Sequence, residues 1–301
     1  MKGEAVALPA ERNRFLDFLA LTKPRLNSLT VATAGVGYFL GAGSPIDLLI
    51  MLHVLIGSGL VAGGAAAFNQ VAEHDIDETM ARTKVRPMPM GRISATEGRI
   101  FATIIAAVGL VILVIGANVV AAAIAATTLV IYVAIYTPLK RRTPWATIIG
   151  AVPGALPPVI GWTAARGALT IEAWVLFSIV FLWQLPHFHA LSWLYRSDFE
   201  KSGLPLLAVQ DHDGRRTATH ALVFGCALVP VSLTPAFVGL AGFPYLVVAS
   251  VLGTAFLILS VRFLAERSEP RARALFLGSL IYLSLLWASL VSARLLLIST
   301  H

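Results

Sequence analysis

Apolar residues fill most of the chain in long runs, which short polar and charged stretches interrupt. A helix that spans a bilayer needs about 20 mostly apolar residues. The nine predicted spans cover residues 26–42, 47–69, 99–116, 119–138, 146–165, 171–194, 219–237, 244–263 and 274–296. The boundary between the third and fourth depends only on Gly116 and Asn118. The pattern predicts an all-α integral membrane protein, one polytopic domain over residues 1–301 with a polar tail at residues 1–20.

Composition supports this prediction and excludes an ordinary soluble domain. Hydrophobic residues make up 57% of the chain and charged residues 13%, against about 25% charged in soluble domains. The one cysteine, Cys226, excludes an internal disulfide and is expected to be a small buried residue. The net charge of +7 comes without a basic patch interleaved with aromatic residues, so no nucleic-acid partner is expected.

The basic residues indicate how the spans are oriented. With the N-terminus inside, all of the 23 Lys and Arg residues except Arg166 and Arg294 fall on inside segments. Because inside loops carry the excess of Lys and Arg, the N-terminus is predicted to be cytoplasmic and the C-terminus to lie on the opposite side. The N-terminal tail lacks the apolar core of a secretory signal and contains Glu4 and Glu11, unlike an organelle transit peptide.

Acidic residues follow the same side, which the orientation rule does not require. Of the 16 Asp and Glu residues, only Asp47 and Glu172 fall on outside segments. The others concentrate in two longer cytoplasmic loops, residues 70–98 and 195–218. Two polar caps at one membrane face predict a functional site there, although solvated linkers are the alternative.

Glycines and prolines mark where the helices pack and bend. Glycine pairs at four-residue spacing allow close helix packing in lipid. These pairs are Gly37 and Gly41, Gly59 and Gly63, and Gly150 and Gly154. Three prolines, Pro153, Pro157 and Pro158, are expected to kink the fifth span, as happens where a helix lines a cavity.

The first polar cap begins with Asn69, Glu73 and Asp77, which share one face of a helix at i, i+4 and i+8. Carboxylates and an amide oxygen are hard ligands, suited to Mg²⁺ and through it to phosphate. The alternative is a structural salt bridge from Asp77 to Arg82. Asp75 points away from this face and is expected to meet solvent or a basic neighbour.

The second polar cap begins inside the sixth span. If the helix continues through Pro186, steps of three and four residues align one stripe. Its members are Gln184, His187, Leu191, Tyr195 and Asp198. His187 is either a core histidine or part of the site, and His189 points to the opposite side, where a structural role is favoured.

If the two caps meet, their carboxylates would repel one another unless a divalent ion lay between them. Basic residues around the caps would then balance a polyanion. These are Lys23, Arg25, Arg82, Lys84, Lys140 and Arg141. A diphosphate bridged to Mg²⁺ satisfies both signs of charge, and its apolar tail would pass between the helices of the membrane protein.

Six sequence motifs occur in one order along nearly the whole chain. They are TKPR at 22–25, ARTKVRP at 81–87, YTPLKRRTPW at 136–145, GALPPVIGW at 154–162, PHF at 186–188 and DFEKSGLPLL at 198–207. With the spacing of Asn69, Glu73 and Asp77, they resemble the UbiA-type intramembrane prenyltransferases, and within them the branch that farnesylates haem. The resemblance covers about residues 20–297.

The resemblance implies a UbiA-like fold of nine helices in a ring around a central cavity. It also implies a site that uses Mg²⁺. The implied metal-binding and catalytic residues are Asn69, Glu73, Asp77 and Asp198, and the implied diphosphate-binding residues are Arg25, Arg82, Lys84, Lys140 and Lys201. The chain departs from the wider family at Ser202, four residues after Asp198, where an acid is usual. Three nearby acids could compensate: Glu200, Asp211 and Asp213.

The implied reaction transfers a farnesyl group from farnesyl diphosphate to a vinyl group of haem b, giving haem O, after assisted ionisation of the diphosphate. His187 and Tyr195 are the candidate haem contacts, with His189 a weaker one. The implied location is the bacterial inner membrane, with the lipid bilayer as a partner. A downstream haem-modifying enzyme is a candidate partner as well.

Two other functions are compatible with parts of the sequence. A secondary transporter also has broken helices and polar groups, but it predicts acids near the bilayer midplane, and the acids here cluster at the cytoplasmic edge. Prenylation of an aromatic quinone precursor would use the same motif from Asn69 to Asp77. The segment 198–205, DFEKSGLP, favours the haem reaction.

Overall fold

The computed structural model describes residues 13–81 and 83–299, so the predicted contact residue Arg82 lies outside the described residues. Within them the chain is helical, and a π-helical turn at Ile131–Tyr136 interrupts one membrane span. The helices are α1 (Arg14–Leu21), α2 (Pro24–Gly41), α3 (Leu48–Ala72), α4 (His74–Thr79), α5 (Ala95–Gly116), α6 (Val119–Val130), α7 (Thr137–Leu139), α8 (Ala146–Ala155), α9 (Pro157–Arg166), α10 (Ile171–Leu194), α11 (Arg196–Lys201), α12 (Leu207–Gln210), α13 (Arg215–Phe237), α14 (Phe243–Glu266) and α15 (Glu269–Ser299).

Eight of the nine predicted spans are long and apolar enough to cross a membrane, counted over the described residues. They are α3, α5, the stretch from α6 to α7, the stretch from α8 to α9, α10, α13, α14 and α15. The remaining predicted span, residues 26–42, forms α2, which is 18 residues long and starts with Pro24 and Arg25. Its polar start lowers its mean hydropathy, so a count of nine membrane crossings stays a prediction.

The spans form a closed ring, as expected. Helix α3 packs between α2 and α5, and the chain then continues through α6 and the α8–α9 pair to α10. Helices α13 and α14 follow, and α15 contacts both α10 and α2. The last span therefore meets the first long helix. The largest cluster of buried side chains lies among α9, α10, α13, α14 and α15.

Two interruptions lie where the sequence predicts them. Helix α5 ends at Gly116, and the side chain of Asn118 caps α6 by accepting a hydrogen bond from the backbone N–H of Ala121 at 2.9 Å. The fifth span breaks at Leu156, because Pro157 has no N–H to continue the α8 hydrogen bonds and instead begins α9.

Glycines permit the closest approaches between spans. A Cβ at Gly37 would lie 2.0 Å from the carbonyl oxygen of Pro158, and one at Gly161 would lie 1.8 Å from that of Ala34. Both glycines belong to the contact between α2 and α9. A Cβ at Gly150 would lie 2.5 Å from the ring of Tyr136, and one at Gly154 would lie 2.1 Å from Gln184 Oε1. The predicted packing role is confirmed for Gly37, Gly150 and Gly154.

One expectation about the core is wrong. Cys226 is exposed on α13 rather than buried. The apolar run around it is lipid-facing on one side, and an apolar sequence does not distinguish a side chain that faces lipid from one that faces another helix.

We expect Gly161→Ala to destabilise the protein, because the added methyl group overlaps the backbone of α2. Overpacking of this kind costs about 1–3 kcal/mol. Fluorescence-detected size-exclusion chromatography after heating would show a lower midpoint. Gly43→Ala is the matched control, since a Cβ there meets nothing within 4 Å. Equal midpoints for both variants would contradict the proposed close contact.

Candidate functional site

The predicted site begins where α3 leaves the membrane region. Helix α3 ends at Ala72 and α4 begins at His74, so Glu73 stands at a break with φ −112° and ψ 12°. The expectation of one unbroken helix through Asn69, Glu73 and Asp77 is therefore wrong. Backbone hydrogen bonds still join Glu73 N to Asn69 O at 3.0 Å and Asp77 N to Glu73 O at 2.8 Å. All three side chains remain buried on one side, at 1–4% exposure.

Asn69 contacts two other segments of the chain. Its Oδ1 accepts a hydrogen bond from Lys23 Nζ at 3.1 Å, and its Nδ2 lies 3.5 Å from Thr137 Oγ1. Lys23 stands between α1 and α2 in the left-handed region, with φ 47°. A non-glycine residue in this region carries backbone strain, which is typical of functional sites. The amide oxygen of Asn69 is thus held by a cation from the start of α2.

Glu73 and Asp77 each pair with a different cation. Lys140 Nζ lies 3.1 Å from both carboxylate oxygens of Glu73. Arg86 Nη1 donates to Asp77 Oδ2 at 2.6 Å. Buried carboxylates require such partners, because an isolated ionised carboxylate is very costly away from water. The alternative partner of Asp77, Arg82, lies outside the described residues, and the sequence alone does not distinguish Arg86 as its partner.

The π-helical turn at Ile131–Tyr136 determines where Lys140 and Thr137 lie. The backbone N–H of Thr137 bonds to the carbonyl of Tyr132, five residues earlier, and its hydroxyl donates to the same oxygen at 2.8 Å. The turn leads into α7 and then to Lys140. Turns of this kind occur frequently at functional sites. The rings of Tyr132 and Tyr136 lie with their centroids 5.2 Å apart and their planes tilted by 41°.

A further ion pair lies next to this buried centre. Arg141 forms a bidentate pair with the exposed Asp75, at 2.5 and 3.0 Å, and also bonds to Ala72 O. The hydrogen bond from Arg141 holds the pKa of Asp75 below its usual value. The expectation that Asp75 meets a basic neighbour is confirmed. The predicted diphosphate-binding residues Arg25 and Lys84 are exposed at the same edge.

Lys23 is the cation whose protonation the surroundings change most clearly. Burial, together with the neighbouring charges of Arg86 and Lys140, lowers its pKa from 10.5 to about 8. The acids Glu73 and Asp77 act in the opposite direction. The three cations and two carboxylates are therefore one electrostatic unit, although they come from four separate segments.

The second polar cap repeats the shape of the first. Helix α10 continues through Pro186, as the predicted alignment of polar side chains from Gln184 onward requires, and it ends at Leu194. Tyr195 stands at a break with φ −110° and ψ 21°, close to the dihedral angles of Glu73, and the six-residue α11 follows, as α4 follows Glu73. Asp198 lies in α11 and is half-buried, whereas Tyr195 and Lys201 are exposed.

Three acids, Glu200, Asp211 and Asp213, could replace the carboxylate that is missing at Ser202, but each makes other contacts. Asp211 Oδ2 accepts hydrogen bonds from the backbone N–H and the hydroxyl of Thr217, at 2.7 and 2.8 Å. Asp213 Oδ1 accepts one from the backbone N–H of Arg215 at 3.1 Å. Both carboxylates therefore stabilise the start of α13. Glu200 is exposed and belongs to a polar pocket with Arg196.

The two histidines of α10 contact different helices. His187 Nδ1 lies 2.7 Å from Ser279 Oγ on α15, and its ring stacks on Trp183 and contacts Phe276 at a tilt, with centroids 4.7 Å apart. This is the contact pattern of a core histidine. His189 is 4% exposed, faces His220 on α13 and has no hydrogen-bond partner for Nε2 among the described residues. A haem contact by His187 or Tyr195 stays a prediction.

The donor set of the first cap fits a magnesium ion chemically. Two buried carboxylates and an amide oxygen are the hard oxygen ligands that Mg²⁺ prefers. Over residues 13–81 and 83–299, however, there is no group of three or more His, Cys, Asp or Glu side chains arranged to hold a metal. Cations of the protein itself, Arg86 and Lys140, neutralise Asp77 and Glu73.

Comparison with known proteins identifies the family of this chain. The model of the UbiA prenyltransferase family matches residues 30–290. The chain belongs to the UbiA prenyltransferase family. It is 45% identical to the protoheme IX farnesyltransferase of Solibacter usitatus over 92% of this chain and 98% of that protein. It is 41% identical to the enzyme of the same name from Koribacter versatilis, over 96% and 97% of the two chains. The prediction of a prenyltransferase is confirmed.

Solved structures of the family share the fold. A digeranylgeranylglyceryl phosphate synthase superposes with a TM-score of 0.80 at 18% identity, over 93% of this chain and 98% of that chain. A UbiA homologue from Archaeoglobus fulgidus, solved with GPP and Mg²⁺, superposes with a TM-score of 0.68 at 14% identity, over 92% and 99%. The predicted all-helical UbiA-like architecture is confirmed.

We expect Lys140→Met to lower stability by about 3–5 kcal/mol, because it leaves the Glu73 carboxylate buried without its partner. Adding Glu73→Gln should recover most of the loss, since the neutral amide needs no cation. The measurement is a double-mutant cycle of thermal midpoints in detergent. Additive effects of the two substitutions would show that the pair is not coupled.

Proposed function

We propose that this protein transfers a farnesyl group from farnesyl diphosphate to a vinyl group of haem b, producing haem O. The observation that carries the proposal is the buried cluster of Asn69, Glu73 and Asp77 with three cations at one membrane face. Its support is the similarity to relatives named protoheme IX farnesyltransferase over nearly their whole length. The archaeal homologue solved with GPP and Mg²⁺ supports a prenyl diphosphate and magnesium as ligands of this fold.

Asn69, Glu73 and Asp77 are the proposed magnesium ligands, with Asp198 contributing from the second cap. Bound Mg²⁺ would neutralise charge on the diphosphate and make it a better leaving group. Lys140 and Arg86 lie 3.1 and 2.6 Å from the carboxylates that they neutralise. They are placed to transfer these contacts to diphosphate oxygens when the substrate binds.

Cations around the cluster stabilise the departing diphosphate. Lys23 reaches Asn69 from the start of α2, so its ammonium group lies beside the proposed metal ligands. Four further cations are proposed to bind the diphosphate: Arg25, Arg82, Lys84 and Lys201. Fixed positive groups of this kind act most strongly on charge that develops in the transition state. The same cations hold the diphosphate at the membrane surface, with its apolar tail between the helices.

The chemistry follows from breaking the carbon–oxygen bond of the prenyl diphosphate. The electron pair leaves with the diphosphate, and the allylic cation that remains is attacked by the vinyl group of haem b. Water then adds to the resulting carbocation and releases a proton, which gives the hydroxyethylfarnesyl group. The pocket must exclude other water until the carbon–carbon bond has formed.

The proposed orientation has a cytoplasmic N-terminus and a C-terminus on the opposite side of the bacterial inner membrane. The distribution of Lys and Arg supports it. In the structure, the basic residues of the cluster share one end of the ring, whereas Arg294 contacts the carbonyl of Ala42 at the far end of α2. A downstream haem-modifying enzyme is the proposed consumer of the product.

We expect membranes that contain this protein to convert haem b and farnesyl diphosphate to haem O when Mg²⁺ is present. Removing the metal with a chelator should stop the conversion, and added Mg²⁺ should restore it. Mass spectrometry of the extracted haem measures the product, and Asp77→Asn is the inactive control at equal expression. No mass gain with fresh substrates and metal would overturn the proposed function.

We expect Asp198→Asn to reduce turnover at least tenfold, an effect on the order of 1.4 kcal/mol in the barrier, because it removes the one proposed metal ligand of the second cap. Glu200→Gln is the matched control, since this exposed acid is two residues away on the same short helix. Initial rates at several Mg²⁺ concentrations measure the effect. Equal losses in both variants would contradict a specific role for Asp198.

A further inference from the structure

Helix α1 buries its acid, Asp17, against the protein and exposes three large apolar residues, while its other charged residue, Arg14, is exposed and pairs with Glu97 of α5. Asp17 is 7% exposed and accepts hydrogen bonds from Arg92 Nε at 3.1 Å to each carboxylate oxygen. On the opposite side, Phe15 is 67% exposed, Leu16 57% and Leu19 41%. A helix that faces water has the reverse arrangement. The outward face of α1 therefore fits an apolar environment.

The inward face docks α1 onto the ends of two spans. Phe18 contacts Phe101 on α5 with ring centroids 5.1 Å apart, and Leu21 is fully buried beside Ala67 of α3. Phe101 is the seventh residue of α5, so this contact lies about 9 Å along that helix from its first residue. Helix α1 thus lies beside the first turns of α5 and the last turns of α3, at one end of the spans, and at eight residues is too short to cross.

Large apolar side chains are also exposed on α2 and α5, near α1 in the chain or in space. Leu26 and Leu29 of α2 are 67% and 42% exposed, and Ile100 and Ile104 of α5 are 55% and 56% exposed. Since α5 is one of the spans, its exposed apolar side chains face lipid. Helix α1 contacts α5, so its exposed apolar side chains occur on a helix that packs against a lipid-facing span.

We propose that α1 is an interfacial anchor, with Phe15, Leu16 and Leu19 inserted among the lipids at the boundary between acyl chains and headgroups. A short amphipathic helix binds there by burying its apolar face about 5–10 Å deep. The exposed Arg25, in the first turn of α2, lies where anionic headgroups can pair with it. The occupant of this face is the bilayer itself, independent of the reaction that the protein catalyses.

The anchor acts directly on the candidate site. Two residues after Leu21 the chain reaches Lys23, whose Nζ contacts Asn69. Gln70, beside Asn69, donates its Nε2–H to Leu21 O at 2.8 Å and so ties the end of α1 to the end of α3. Lipid binding by α1 therefore holds Lys23 in its left-handed conformation at the mouth of the charged cluster.

Spin labels measure the position of α1 without relying on activity. In the full chain with Cys226→Ser, single cysteines replace Phe15, Leu19, Ile104 or Glu78, and each labelled protein is placed in phospholipid vesicles. Labels at Phe15 and Leu19 should collide more with oxygen than with a water-soluble nickel complex, as the lipid control at Ile104 does. The exposed Glu78 of α4 is the aqueous control and should show the opposite preference.

Two results would overturn the proposal. Collision preferences at Phe15 and Leu19 that match Glu78 would place the outward face in water. Low accessibility to both reagents, with spin–spin broadening between chains, would show that a second copy of the protein covers this face instead. Because none of these readouts uses substrate, failure of the anchor is distinguishable from failure of the proposed function.

Hydrogen exchange tests the link to Lys23. In nanodiscs, Phe15→Asp combined with Leu19→Asp should accelerate amide exchange across residues 14–23 and leave the middle of α5 unchanged. Val85→Asp is the matched control, because Val85 is also an exposed apolar residue, at 59%, and lies outside α1. Unchanged exchange at residues 14–23 in the double variant would contradict anchoring by lipid.

Discussion

Two buried carboxylates at the end of one membrane helix determine how the surrounding segments must fold. Glu73 and Asp77 are almost inaccessible, so each requires a cation that comes from another part of the chain. Lys140 is 67 residues from Glu73 along the chain, and Arg86 belongs to the loop that follows α4. The same requirement gives the site its chemistry, because cations that neutralise carboxylates in the free protein are also suited to bind a diphosphate.

The architecture follows from the sequence to a large extent because lipid imposes one simple rule. Backbone groups in the bilayer must bond within their own segment, so each long apolar run becomes a helix. The interruptions at Asn118 and Pro157 also follow from local chemistry, a side-chain cap and a missing N–H. The exposed Cys226 does not follow, because the sequence does not say whether an apolar side chain faces lipid or a neighbouring helix.

The site follows from the sequence less completely. The spacing of Asn69, Glu73 and Asp77 predicts three side chains on one face, and they are together despite the break at Glu73. The choice of Arg86 as the partner of Asp77 depends on the path of the loop between α4 and α5. The contacts of His187 depend on which helix packs against α10. Such choices arise from tertiary packing, and neither periodicity nor charge pattern contains them.

The π-helical turn before Thr137 has a consequence for how this site tolerates change. One additional residue in a helical turn rotates everything after it by about 100° relative to a regular α-helix. Helix α6 begins after Asn118, before the turn, and Lys140 follows the turn. The direction in which Lys140 points toward Glu73 is therefore set by the number of residues in between rather than by the identity of their side chains. A one-residue deletion within Ile131–Tyr136 would preserve every charged group in the sequence and still turn Lys140 away from its acid.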